Sequence, residues 1–502
     1  MAPSRDPFQR LPEPVLALVL SRLSNARDIA NAACCCSKWA ETVWGAITSL
    51  SVKSGDFETI TEFELVVTRM VTKARQLEKL SITNRFDRPL NEACVMSWIQ
   101  LCPGLQHIEL VDRESCDPEE TLVDRRFQTL AKCKTLKGLS LEYRRRQRSL
   151  DAELSWHLRL PSHAFASLTR IELNGLTACT ESLEEIVQHC PLLEHLHLSQ
   201  IMSPAGSRLR LDAPSLVCFK FSVFLQPLDF DPDRCIDKIQ LWAPKLRDAE
   251  IAHVRGLKLL GGARLQTLTL RECPRGNLFE IGDKSQLREL SVLDGADNFY
   301  IANPSSVYHY EELEWAGATL WDLVFGCSAL KVLDLDVHCA GREGERLGTV
   351  SVPEFFKQLP ALIDLHVKDS FLQFLRGPQD RSWTRAHFSG VRKFPGLQRL
   401  AVRVPDSWSS SRLGQVMHFL QYLCGVCPRL AEVIVDCNER SIAGLDAGFF
   451  RSLLVVQRKF PGVKFDFKVE KESNRARSWS PYSDMDGSYD GTPSRKDEPF
   501  LA

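Results

Sequence analysis

The sequence predicts an α/β fold: a short helical segment leads into a curved solenoid, with parallel strands on its concave face and helices or loops on its convex face. Three observations predict it. The pattern Leu-x-x-Leu-x-Leu, with apolar replacements, recurs thirteen times from Leu77 to Leu430. Many copies follow an amphipathic helical stretch closed by proline, as in SWIQLCPGL, SLEEIVQHCPLLEHL and FLQYLCGVCPRL. The stretch from Leu11 to Leu50 has no counterpart elsewhere in the chain.

Within that stretch, Val15, Leu16, Val19, Leu20 and Leu23 recur at helical spacing, and Pro12 and Pro14 stand where a first helical turn tolerates proline. An acidic residue suits a helix start, so Asp28 is expected to open a second pattern running through Ala32, Ala33, Cys36, Trp39, Val43 and Trp44. These apolar positions outnumber what two or three short helices can bury against one another. Part of the surface should therefore face another protein.

Leu11-Pro12-Glu13, the leucine-rich helix Val15 to Leu23, Asp28-Ile29, the run Ala32 to Cys36 and Lys38-Trp39 together resemble an F-box. The alternative, a helical cap on the solenoid, needs an apolar inner face but neither Trp39 nor Leu11-Pro12. The resemblance implies that Leu11, Pro12, Val15, Leu16, Val19, Leu20, Leu23 and Trp39 bind a Skp-family adaptor or pack the segment internally, and through the adaptor it implies cullin and RING partners.

The repeats begin at Leu77, Leu105, Leu136, Leu168, Leu193, Leu216, Leu246, Leu265, Leu287, Leu330, Leu362, Leu397 and Leu430, at spacings from 19 residues after Leu246 to 43 after Leu287. Such irregular spacing belongs with leucine-rich repeats whose loops vary. The longest gap predicts a degenerate copy near Leu313, and VKFDFKV from Val463 predicts a closing strand. In LEHLHL, alternation sends Leu196 and Leu198 into the core and His195, His197 and Ser199 outward. Parallel strands stack more closely than helices do, so the stack should bend with its strands inside. In LRLDAPSLVCFKF and IQLWAPKLRDAEI, one short strand runs through Ala-Pro straight to the next, leaving little room for a helix.

That Ala-Pro-x-Leu text is similar to plant F-box proteins with leucine-rich repeats, which implies the substrate receptor of an SCF-type ubiquitin ligase. The expected division is an N-terminal tail (1–10), F-box (11–50), repeats (51–470) and a disordered tail (471–502) rich in Ser, Asp, Gly and Pro. Ser480-Pro481 and Thr492-Pro493 are candidate phosphorylation sites in that tail.

A net charge of -1 supplies no field for gathering nucleic acid or anionic membrane, so neither is expected as a partner. No apolar run approaches the length of a membrane span, and a cytoplasmic or nuclear location is expected. Seventeen cysteines, odd in number and without paired zinc spacings, predict reduced core thiols; Cys424 and Cys427 form a CxxC with no second pair. Gly261-Gly262 lacks the lysine of a phosphate-binding loop. No metal, cofactor or catalytic group is expected, and the chain is read as a non-enzymatic adaptor.

Target binding is expected on the outward strand residues Arg170, Glu172, Asn174, His195, His197, Ser199, Cys218, Lys220, Asp248, Glu250, Thr267, Arg271, Asp334, Asp336, Asp364, His366, Lys368, Arg399 and Arg403. The resemblance to related plant receptors that hold an inositol phosphate on concave basic residues implies that Arg144, Arg145, Arg146 and Arg148, which follow one strand, could pair with such an anion, but a solvated loop or a substrate contact is the preferred reading. The alternatives left open are a repeat scaffold without a ligase role and a receptor gated by a small molecule.

Overall fold

The structure is a computed structural model; it describes residues 11–35, 37–113, 127–144, 165–176, 180–201, 207–223, 236, 238–261, 264–271, 273, 278–293, 317–336, 350–368, 375–376, 393–403, 410–438 and 447–470. The chain divides into two compact units, Met1–Leu362 with Phe374–Arg376, and Ile363–Gln373 with Gly377–Ala502.

The first unit opens with three helices, α1 (Glu13–Leu20), α2 (Ala26–Cys35) and α3 (Ser37–Ala46). Pro12 caps α1 and Pro14 lies in its first turn, where a missing N–H costs nothing. Three expectations are corrected here. The first helix stops at Leu20, so Leu23 follows it, with its N–H bonded to the Leu20 carbonyl at 3.0 Å. The second begins before Asp28: Asn25 Oδ1 accepts from the Arg27 N–H at 2.8 Å, and Asp28 lies in the first turn, where its charge complements the helix dipole. The long second pattern is also two helices, since α3 starts anew at Ser37.

Next come β1 (Ser49–Lys53), α4 (Ile60–Lys73), β2 (Lys79–Thr83), α5 (Glu92–Leu101), β3 (His107–Arg113), β4 (Gly138–Arg144), β5 (Arg170–Asn174) and β6 (His195–Ile201). They are followed by β7 (Arg208–Asp212), β8 (Cys218–Val223), β9 (Lys238–Trp242), β10 (Asp248–Ala252), β11 (Gly256–Leu260), β12 (Thr267–Arg271), β13 (Leu278–Ile281), β14 (Glu289–Leu293) and β15 (Val332–Asp336). Ten of the thirteen repeat copies supply β2 to β6, β8, β10, β12, β14 and β15, which pair in parallel in that order. The sequence reading missed β1, which pairs with β2 and adds an eleventh strand: Ile47, Leu50 and Val52 reproduce the repeat, with β-branched residues at its first and last positions, and are all buried.

Register makes the core continuous. One buried row runs through Leu50, Leu80, Ile108, Leu139, Ile171, Leu196, Phe219, Ala249, Leu268, Leu290 and Leu333, and a second runs parallel two residues on. The leading leucine of each copy is buried beneath them, as at Leu77, Leu193 and Leu265.

The return segments come in two kinds. In α4, Thr59 accepts the Glu62 N–H and turns Phe63, Val67, Met70 and Val71 inward, and Trp98 of α5 donates to Thr68 Oγ1 at 2.8 Å. The helix Thr180–Gln188 likewise buries Leu183, Ile186 and Val187, as expected. From β7 to β13 strands replace helices: β7, β9, β11 and β13 form a second parallel sheet. Ala213-Pro214 and Ala243-Pro244 make the expected direct turns into β8 and β10, whereas β11 and β13 lack that text and were not foreseen. β16 (Val350–Ser351) pairs with β18 (Leu375–Arg376) beside the helix Val352–Gln358.

The second unit holds the remaining copies as β17 (Asp364–Lys368), β19 (Arg399–Arg403) and β20 (Glu432–Asn438), closed by β21 (Lys464–Glu470), all parallel. Helices Ser410–Val426 and Ala447–Lys459 precede the last two strands. The degenerate copy near Leu313, both tails and the two Ser/Thr-Pro sites lie outside the described residues.

Candidate protein-binding surfaces

Burial sorts the N-terminal residues. Leu16 and Leu20 are fully buried, as are Ile29 of α2 and Val43 of α3. Val15, Leu18 and Val19, on the other side of the same helix, are 43%, 62% and 54% exposed. Pro12 is exposed, while Leu11, Leu23 and Trp39 are half-buried. Leu18 was not named in the sequence reading, whose helical-spacing set mixes buried Leu16 and Leu20 with exposed Val15 and Val19. A single eight-residue helix thus carries one apolar side for its own core and another facing solvent.

The segment is anchored within itself and to the first strand and helix of the repeats. Lys38 Nζ donates to the Leu11 carbonyl at 3.0 Å, tying α3 to the Leu-Pro entry. The Ser51 N–H of β1 donates to the Ser24 carbonyl, and Lys73 of α4 stands 5.5 Å over the Trp44 ring. The apolar face is consequently presented from a fixed support.

The outward strand residues fall into rows. Glu172, His197, Lys220, Glu250, Thr269, Ser291 and Asp334 face one another across successive strands, as do Arg170, His195, Cys218, Asp248, Thr267 and Glu289. Asn174 and Ser199 form the next row, and Arg271 and Asp336 lie at matching strand ends. The same register adds Lys79, His107, Glu109 and Ser140, which the repeat text marks but the sequence reading did not name.

Charges in these rows are largely satisfied by their neighbours. Lys220 Nζ lies 3.1 Å from Glu250 Oε2, and Arg271 Nε 3.0 Å from Glu250 Oε1. Burial works against the Glu250 carboxylate, but those two cations hold it below its usual range. Glu172 Oε1 is shared by Arg170 and by His197 Nδ1 at 3.2 Å. In the second unit, Asp364 lies 3.0 Å from His366 Nε2 and 3.5 Å from Arg399 Nη1, Arg399 Nε lies 3.1 Å from Glu432, and Arg403 Nε lies 3.5 Å from Asp436. Acidic and basic side chains of these rows are therefore interleaved as ion pairs.

Lys368 is a correction. It was expected on the open face, yet only 1% of it is exposed. Strand alternation fixes the direction in which a side chain leaves the sheet, not how much chain lies over it. Arg145, Arg146, Arg148 and the side chain of Arg144 lie outside the described residues.

The cysteines are not uniformly core. Burial pushes the thiols of Cys102, Cys327 and Cys424 up to about 11 and those of Cys190, Cys427 and Cys437 up to about 12, whereas Cys34 and Cys35 are exposed. Deprotonating Cys424 or Cys427 for a metal would be costly. Among the described residues no group of three His, Cys, Asp or Glu could hold a metal ion, and no helix is long and apolar enough to cross a membrane.

Two family models match stretches of the chain. Residues 8–45 match the family model "F-box-like", and residues 95–272 match "FBD-associated F-box protein At5g56370, LRR repeats". The Arabidopsis thaliana "F-box protein At1g10780" is 23% identical over 376 residues, covering 71% of this chain and 77% of that protein. "F-box/LRR-repeat protein At1g67190" of the same plant is 24% identical over 367 residues, covering 66% and 74%. The chain joins an F-box-like domain to leucine-rich repeats of the kind found in plant F-box proteins.

Proposed function

We propose that this chain is the substrate-recognition subunit of an SCF-type E3 ubiquitin ligase. The observation that carries the reading is the exposed apolar side of α1, Val15, Leu18 and Val19, on a helix whose other side is fully buried. A Skp-family adaptor covering these side chains would remove apolar area from water, worth roughly 1.5–3 kcal/mol for each side chain fully buried. Leu11, Pro12, Leu23 and Trp39 border this surface, while Leu16 and Leu20 hold its shape from inside. Cullin and RING subunits join through the adaptor.

The repeat sheet supplies the target surface. Its paired charges favour a protein that offers both signs, because such a partner exchanges ion pairs with the rows instead of leaving one sign buried and unmatched. Arg170, Glu172, His195, His197, Lys220, Asp334, Asp336, Asp364, His366, Arg399 and Arg403 are the proposed contacts. The chain contributes no catalytic group: it brings the target near the transferring cysteine of another subunit and so raises the effective concentration of its lysines. Its place is the cytoplasm or nucleus.

Capture of a recombinant Skp-family adaptor by wild type and by Leu11→Ala/Pro12→Ala tests the reading. Weakened capture by the variant is expected; equal capture by both, or capture by neither, contradicts it. Proximity labelling with ligase activity blocked then identifies the target.

A further inference from the structure

Three polar side chains on consecutive strands of the outward face form a chain of contacts that protein binding does not require. Glu172 of β5 lies 3.2 Å, through Oε1, from His197 Nδ1 of β6, and His197 Nε2 lies 3.6 Å from Cys218 Sγ of β8. Register sets the order. Glu172 stands directly opposite His197, whereas Cys218 stands opposite His195, so the His197 ring reaches diagonally to the sulfur. The strands beneath are pinned by buried Ile171, Leu173, Leu196, Leu198, Phe219 and Phe221.

Carboxylate, imidazole and thiol in this sequence have a definite chemistry. Glu172 accepts the Nδ1 proton, which orients the ring and leaves Nε2 to exchange a proton with sulfur. Hydrogen bonding to Cys218 first, and to Glu172 second, holds the His197 imidazole up at about 9; the His197 and Arg170 contacts hold the Glu172 carboxyl down at about 2. The ring is thus an imidazolium at neutral pH, and a positive charge beside a sulfur favours the thiolate. The other ionisable groups around it are Arg170 on Glu172, His195 on the same strand, Lys220 paired with Glu250, and Asp248 opposite Cys218. Cys218 is half-exposed, unlike Cys190, Cys427 and Cys437 in the core.

We propose that Cys218 is a nucleophilic thiol, with the His197 imidazolium as its cationic partner and proton donor and Glu172 as the positioning residue, and that it takes soft carbon electrophiles of the α,β-unsaturated carbonyl class. The thiol gives its proton to solvent, the sulfur lone pair forms the S–C bond at the β-carbon, the alkene π pair moves to the α-carbon, and that carbon takes the His197 Nε2 proton, which the ring regains from solvent. The product is a thioether and nothing is oxidised or reduced. An adduct there stands in the middle of the outward rows and alters what the sheet can hold. The site does not depend on the adaptor reading, since it needs no second protein.

Acrylamide, itself an α,β-unsaturated amide, is the probe. The full chain is treated at pH 6.5 and each cysteine's modification rate is read by peptide-resolved mass spectrometry, with exposed Cys34 and Cys35 as ordinary thiols in the same molecule. Cys218 is expected to react about tenfold faster or more than either, because a neighbouring imidazolium raises the fraction of sulfur present as thiolate. His197→Gln should bring it to their rate without changing theirs. A wild-type Cys218 no faster than Cys34 and Cys35, or an undiminished rate in His197→Gln, overturns the proposal. If new labelling of Cys190 shows that His197→Gln has unfolded, Glu172→Gln decides by the same criterion.

Discussion

Helix α1 and the repeat strands treat apolar residues in opposite ways. Along β5 and β6 the leucines and isoleucines alternate with polar residues, and each is 0–1% exposed. Along α1, Leu16 and Leu20 are buried while Val15, Leu18 and Val19 remain in water. A strand has two faces, and the repeat assigns one to the core and one to solvent. The helix has an apolar stripe for the core and a second with nothing of the described residues over it. The difference separates residues that hold the fold from residues held ready for a partner, and substitutions should act on one property without the other.

The largest stability effect should come from the buried rows. Leu198→Ala removes a side chain 1% exposed and is expected to cost about 2–5 kcal/mol, read by chemical denaturation. Gly175→Ala comes next. Gly175 has φ +73°, and an added Cβ would stand 2.1 Å from the Tyr143 carbonyl oxygen, so about 1–3 kcal/mol of strain is expected, with the β4–β5 junction disturbed first. Neither change touches α1. Loss of adaptor binding by a chain that remains folded with either substitution would break the distinction.

The His197–Glu172 pair sharpens it from the polar side. His197 is raised to about 9, so its contribution is fully present below the unfolded value of 6.5 and is lost as pH rises through 9. Glu172 is lowered to about 2, so its contribution is present above 4.5 and is lost as pH falls through 2. Both are partly exposed, which limits the pair to about 1 kcal/mol. His197→Gln should therefore lower the melting temperature most between pH 4.5 and 6.5, with the difference fading toward pH 9. A deficit independent of pH would mean that packing, not charge, holds the ring. The smallest effect is at the α4 cap, where Thr59→Ala should cost about 1 kcal/mol or less.

Much of the fold was legible because the repeat writes its own register. Leu193, Leu196 and Leu198 announce both the strand and its buried side, and all thirteen copies form strands. The missed strand β1 obeys the same rule, but Ile47 and Leu50 fell inside the stretch assigned to the F-box, and Val52 just beyond its end. β11 and β13 were missed because GLKLL and LFEI carry no Ala-Pro turn to separate a strand from a loop. At the candidate surfaces, the sequence supplied outward residues but not their partners. Ion pairs such as Lys220 with Glu250 depend on which strands become neighbours, and β8 neighbours β10 only because β9 belongs to the other sheet. Leu18 escaped for a different reason: in so short an apolar helix, periodicity took in Val15 and Val19 with Leu16 and Leu20 and could not separate the buried side from the exposed one.

The most direct test of the account pairs adaptor affinity with thermal stability in one variant. Val15→Asp/Val19→Asp places two charges on the exposed side of α1 and leaves Leu16 and Leu20 in the core. The expected result is loss of Skp-family adaptor binding by about a hundredfold or more, through roughly 3 kcal/mol of lost apolar contact and unpaired charge, with an unchanged melting temperature. Full adaptor affinity in this variant would contradict the assignment of that surface.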